Sequence, residues 1–369
     1  MPTIQELAQE GQAVWVDIIN RALLRDDTLR RLIEIGVRGV TANPTILDAA
    51  IAGSNEYDEE IRRLALRGCA TAAIYEALAF SDIGQAADLL LPLYEESCRA
   101  DGFVSLEVEP ALAYDTAGTI NRARDFASTL NRSNVMIKVP ATREGILAIE
   151  ELVSEGININ ATLIFGLEQY RAVVEAYLHG MDVFLATGGD VTQTASVASF
   201  FVSRIDTLVD KLFEQHDITD LRGTIAVANA RVAYAYFTDV FQGPRWARLA
   251  ERGARVQRPL WASTSTKNPE YADTRYVDAL IGPRTVTTLP LATLDAFLDH
   301  GHVALTLTQG VDDAMYRLKR LAELGIDMRQ VAEQLTREGV RSFAEAFDHM
   351  FASIELKRKT ALIERKRAA

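Results

Sequence analysis

The chain has 369 residues, 48% of them hydrophobic and 24% charged, with a net charge of −12 and a pI near 5.0. Those proportions are ordinary for a globular protein, and the acidic balance argues against nucleic acid as a partner. No apolar run approaches the ~20 residues that span a bilayer, and residues 1–6 lack the charged and apolar regions of a signal peptide, so a cytoplasmic protein with no membrane partner is expected.

Taken in chain order, short β-type runs alternate with helical patterns. Residues 14–18 read as a strand with Asp17 opposite Val14, Val16 and Ile18, and a helix is expected over 28–35. Residues 39–44 repeat the pattern with Thr41 and Asn43, before helices at 56–67 and 71–100. Residues 104–108 carry Ser105 and Glu107 on one face, and a helix follows at 115–130. In residues 135–140, Lys138 is the lone charge in an apolar, β-branched run closed by Pro140, with a helix expected at 143–153. Residues 157–163 line one side with Asn158, Asn160 and Thr162, ahead of a helix at 168–178.

The second half is less regular. Residues 183–186 have strand character, and 195–203 have more. Helical stretches at 206–215, 225–241 and 246–252 are long for one crossover and mark an insertion, about 205–257. Residues 259–263, with Trp261 inward by spacing, and 285–290 read as the last two strands. Helices at 312–324 and 327–357 form a C-terminal extension, about 312–369, with a basic tail that reads as a solvated helix face.

Strands alternating with helices imply right-handed crossovers and a parallel sheet. Polar residues at the C-terminal strand ends fit an α/β fold of the (β/α)8 TIM-barrel type, whose active sites lie on that face. A doubly wound sheet is the competing arrangement, but no Gly-rich strand-to-helix turn is present. One barrel domain with additional helices is the simplest organisation. Cys69 and Cys98, both placed on predicted helices, support neither disulfides nor a Cys-based metal site, and the five histidines show no metal spacing beyond His300-x-His302, read as a solvated loop. No metal is expected.

Burial disfavours the ammonium form of lysine and favours a free amine, the form that attacks carbonyls. Lys138 is therefore a candidate nucleophile. The structural alternatives are a strand-edge lysine reaching solvent, or an ion pair with Asp17 or Glu107 inside the barrel.

At the level of motifs the chain resembles the transaldolases, of the longer type. The matching segments are Val40-Thr41-Ala42-Asn43-Pro44-Thr45-Ile46, Ser105-Leu106-Glu107-Val108, Ile137-Lys138-Val139-Pro140-Ala141-Thr142 and Gly156-Ile157-Asn158-Ile159-Asn160-Ala161-Thr162-Leu163. Ser199-Phe200-Phe201-Val202-Ser203-Arg204 and the run from Leu260 to Pro269 follow in the family's order. The resemblance places the sixth strand at 196–203 and makes 181–186 helical. It implies transfer of a dihydroxyacetone unit from a ketose phosphate (sedoheptulose 7-phosphate or fructose 6-phosphate) to an aldose phosphate (glyceraldehyde 3-phosphate or erythrose 4-phosphate). The route is a lysine Schiff base in the pentose phosphate pathway, with no cofactor, in a monomer or homodimer.

By the same resemblance Lys138 is the Schiff-base nucleophile and Asp17 the general acid/base. Glu107 and Thr162 act through a water, and Asn43, Asn160 and Ser199 hold the dihydroxyacetone hydroxyls. Arg204 and Ser263 take the phosphate, with Lys267 a further phosphate ligand in a longer loop. Asn158 is read as a hydrogen-bonding residue outside the site. An aldolase of the same superfamily, releasing free products, and a non-catalytic sugar-phosphate-binding barrel are the alternative functions.

Overall fold

Eight parallel strands close into a barrel in chain order: β1 (Gln12–Val16), β2 (Val37–Thr41), β3 (Phe103–Glu107), β4 (Val135–Pro140), β5 (Ile159–Ile164), β6 (Ser196–Phe201), β7 (Arg258–Ala262) and β8 (Thr285–Leu289). The structure is a computed structural model and describes residues 2–25, 27–216 and 218–368. The expected TIM barrel is the observed fold. The first helices are α1 (Ile4–Gln9), α2 (Arg21–Arg25), α3 (Thr28–Glu34), α4 (Pro44–Ile51), α5 (Asp58–Leu66), α6 (Thr71–Glu96), α7 (Thr116–Leu130), α8 (Arg143–Ser154) and α9 (Leu167–Ala186). Between β6 and β7 lie α10 (Ser203–Gln215), α11 (Ile225–Val240) and α12 (Pro244–Ala250); α13 (Arg275–Asp278) precedes β8, and α14 (Leu291–His300), α15 (Val311–Glu323) and α16 (Met328–Ala368) follow it.

The interior is filled in layers set by period-2 alternation. Below the polar ends, Trp15, Gly39 and Phe103 are register partners on β1, β2 and β3. Gly39 is required there, because a Cβ would sit 2.6 Å from the Trp15 ring and 2.8 Å from the Phe103 carbonyl oxygen. At the opposite end from the site, Asn158 donates to the Ser133 and Val135 carbonyls and accepts from the Ala195 backbone, tying three connections together.

Residues 183–186 belong to α9, as the resemblance implies and against their local strand character; the buried stripe Tyr170, Val173, Val174, Tyr177, Leu178 and Met181 carries the helical period. Two expectations are corrected. Trp261 points outward, not inward: its register partner Phe200 lies one residue from the inward Ser199, and its ring meets Phe200 edge-on at 6.0 Å. Phe200 in turn packs on Tyr170 of α9. Cys69 and Cys98 sit beyond the ends of α5 and α6, where left-handed Gly68 and left-handed Cys98 and Arg99 stop the helices.

Helix α16 is pinned at several places. Phe347 and Phe351 stack at 4.5 Å and both pack against Tyr75 of α6. Lys357 pairs with Asp58 at 2.6 Å, and His349 Nδ1 lies 2.7 Å from Asp48. Near the helix start, Thr336 hydrogen-bonds the Leu163 carbonyl at the end of β5, and Gly339 passes so close that a Cβ would lie 2.8 Å from the Leu163 side chain. Among the described residues no helix is long and apolar enough to cross a membrane.

Candidate active site

Lys138 lies between Glu107 of β3 and Asn160 of β5 in the strand register, so all three side chains enter the barrel at one level. The lysine is 3% exposed and Glu107 4% exposed. Its Nζ stands 3.4 Å from Glu107 Oε2 and 3.5 Å from the Ala42 carbonyl oxygen. Two ions taken this far from water need each other. Burial pushes the Glu107 carboxyl up to about 7, against the lysine's opposing charge.

Asp17 follows β1 and accepts a 2.6 Å hydrogen bond from Thr41, which lies 2.8 Å from the Thr288 hydroxyl. Burial raises its pKa, opposed by the charges of Lys138 and Arg204 and by the Thr41 bond. The lysine's ion-pair partner is therefore Glu107, while Asp17 is held by the Thr41 hydroxyl.

Amides and hydroxyls complete the ring. Asn43 caps α4 by accepting from the Ile46 N–H with its carbonyl oxygen, and its side chain lines the same cavity as Lys138. Asn160 accepts from Ser199 at 2.7 Å and donates to Ser105 at 3.2 Å, linking β5 to both β6 and β3. Thr162 Oγ1 and Glu107 Oε2 are buried without a protein hydrogen-bond partner. Leu163, next in the chain, is left-handed at φ 57°, where the β5–β6 register shifts. A bulge with such a residue re-aims its neighbours. Gln169 holds it by donating to the Leu163 and Ala141 carbonyls.

The cations stand on the far wall of the cavity. Arg204, in the first turn of α10, lies over the Phe201 ring at 5.6 Å. Neither Asp206 nor Asp210 takes it as a partner: the first accepts from Ala226 and Tyr276, the second from Gly223 and Tyr271. Lys267 donates to Ser265 at 2.7 Å, and Ser263, left-handed at φ 54°, meets Ser203 at 3.0 Å. Desolvation, then the Arg204 charge, pushes the Lys267 pKa down. Two cations that repel across a pocket are suited to an anion between them.

A cavity of about 200 Å³ brings together Asp17, Asn43, Lys138, Ser199, Arg204, Ser263 and Lys267. Glu107 is joined to it through Lys138 and Asn160 through Ser199, whereas Thr162 pairs with Pro140 in the register and is not part of the cavity lining. Sequence reasoning assigned no role to Thr41, Ser265, Thr288 or Phe343, which also line it. Thr41 carried the alternation signal; Phe343, from α16, carried none.

The sequence model of the family described as Transaldolase/Fructose-6-phosphate aldolase matches residues 14–354. The chain belongs to this family. It is 46% identical to the transaldolase of Parafrankia sp. over 95% of this chain and 96% of that protein. Identity is also 46% to the transaldolase of Thermobifida fusca, over 94% and 96%, and 42% to transaldolase 2 of Nostoc sp., over 96% and 97%. Active sites of barrels lie at the C-terminal strand ends, the end at which this cavity sits. Among the described residues no cluster of three or more His, Cys, Asp or Glu side chains is placed to hold a metal ion.

Proposed function

We propose that the chain is a transaldolase that moves a dihydroxyacetone unit between sugar phosphates through a Schiff base on Lys138. The observation that carries this reading is a buried lysine, ion-paired with Glu107, that shares one cavity with a second carboxyl and two cations. The Lys138 amine attacks the C2 carbonyl of a ketose phosphate. Glu107, through a water held with Thr162, moves the protons that turn the carbinolamine into the imine. Thr162 Oγ1 is buried without a protein hydrogen-bond partner and Glu107 Oε2 faces Lys138 Nζ at 3.4 Å, so both are free to bond a water.

Asp17 removes the proton from the C4 hydroxyl as the C3–C4 bond breaks, and the protonated imine takes the electrons. The aldose phosphate leaves, and the enamine on Lys138 attacks the aldehyde of an acceptor. Asn43, Asn160 and Ser199 hold the dihydroxyacetone hydroxyls meanwhile. The substrates are highly charged and do not cross bilayers unaided, which supports a cytoplasmic setting. Borohydride reduction in the presence of fructose 6-phosphate, with peptide mass mapping and product analysis, tests the proposal. Transfer to erythrose 4-phosphate supports it; free dihydroxyacetone with glyceraldehyde 3-phosphate and no transfer favours an aldolase, and no adduct favours a binding barrel.

Two expected outcomes belong to this reading. The carboxylate form of Glu107 accepts the proton, so kcat/KM should rise as pH increases through about 7. Glu107→Gln should lower kcat and abolish that limb of the profile, measured in steady state from pH 5 to 9. Arg204→Ala should raise KM for phosphorylated acceptors about ten- to a hundredfold, the equivalent of a lost charge-assisted contact of about 1.5 to 3 kcal/mol. Glyceraldehyde, without a phosphate, should be affected far less. Equal losses for both acceptors would assign Arg204 a structural role.

A further inference from the structure

We infer that Phe343 of α16 is a specificity-determining residue: it keeps water from the carbanion-like carbon of the Lys138 intermediate and so favours transfer over release. The inference rests on the Schiff-base reading of Lys138. Phe343 is 2% exposed and lines the same cavity as Lys138, Asp17 and Arg204, although it lies far along the chain from all of them.

Its placement is fixed on both sides. Toward the start of α16, Thr336 is bonded to the Leu163 carbonyl and Gly339 lies against the Leu163 side chain. Beyond it, Phe347 and Phe351 are stacked against Tyr75. Between these anchors the helix brings Phe343 to a cavity lined mostly by hydroxyls, charges and the Asn43 amide, with Phe201 its other aromatic residue. Such a side chain makes no hydrogen bond to a sugar hydroxyl or a phosphate. It can fill space that water would otherwise occupy, and excluding water from reactive intermediates suppresses side reactions.

The competing step balances as follows. After carbon–carbon cleavage the enamine carbon carries the electron pair. In transfer, that pair forms a bond to the acceptor's carbonyl carbon, and the aldehyde oxygen takes a proton. In release, the same pair takes a proton delivered by water, which regenerates an imine. In either route a further water then hydrolyses the imine, freeing the new ketose phosphate or dihydroxyacetone and returning the Lys138 amine. The two routes diverge only in which electrophile reaches the carbon first, so the ring over the cavity acts on the partition and not on imine formation.

The test is the ratio of free dihydroxyacetone released from fructose 6-phosphate alone to unit transferred to erythrose 4-phosphate. For Phe343→Ala the ratio should rise at least about tenfold above that of the unaltered protein. Phe343→Leu should shift it in the same direction by less. Because both rates are measured on the same folded sites, partial unfolding lowers them together and leaves the ratio unmoved. An unchanged ratio in both variants overturns the inference. Borohydride trapping on Lys138, run in parallel, separates that result from failure of the Schiff-base reading, in which no adduct forms in any variant.

Discussion

Lys138→Ala is expected to fold, to lose transfer by a factor on the order of 10⁶, and to give no reducible adduct with fructose 6-phosphate. Removing one partner of a buried ion pair ordinarily destabilises, because the other charge is stranded. Here the stranded group is Glu107, whose pKa already lies at about 7 with the lysine present. Without the ammonium its carboxyl rises further and takes up a proton at neutral pH, so the pocket becomes uncharged at that point. Circular dichroism should show native secondary structure, and mass mapping after borohydride should find Lys138 modified in the unaltered protein alone. Substrate trapped on Lys267 would defeat the assignment.

Asp17→Asn should separate bond breaking from imine formation. The amide oxygen can still accept from Thr41, and the Thr41–Thr288 pair is undisturbed, so the first strand end keeps its geometry. Asparagine cannot take the C4 hydroxyl proton. Turnover should fall by roughly 10² to 10⁴, the usual size of a lost general base, while more covalent intermediate is recovered by trapping. Full turnover in this variant would make Asp17 a structural carboxylate. The raised pKa of Asp17 also fixes the sign of its stability effect. Folded protein holds the proton over a pH range where unfolded chain has lost it, so burial of this group costs stability as pH rises through that range.

Barrel order and the polar floor of the site were readable from single residues. Asp17, Glu107, Lys138 and Asn160 each break the apolar pattern toward the C-terminal strand end, and the register sets Glu107, Lys138 and Asn160 side by side. Trp261 was misread because β7 is buried on both faces, so Leu260, Trp261 and Ala262 offer no polar residue to mark the inward side. The bend at Leu163 was invisible, since nothing about leucine announces a left-handed backbone. Residues 183–186 lacked a deciding local signal as well; the buried stripe of the preceding turns makes them helical. Phe343 was unreadable for a different reason. An apolar side chain on an amphipathic helix is ordinarily core, and only the path of α16 across the barrel brings this one to the cavity.

That path has a bearing on when the enzyme becomes competent. Synthesis delivers α16 after all eight strands, so every other residue that lines the cavity precedes Phe343 in the chain. Contacts between such distant segments form slowly, because a long loop must close before they stabilise anything. The strand residues of the cavity are therefore made first, and the helix that completes its lining is made last.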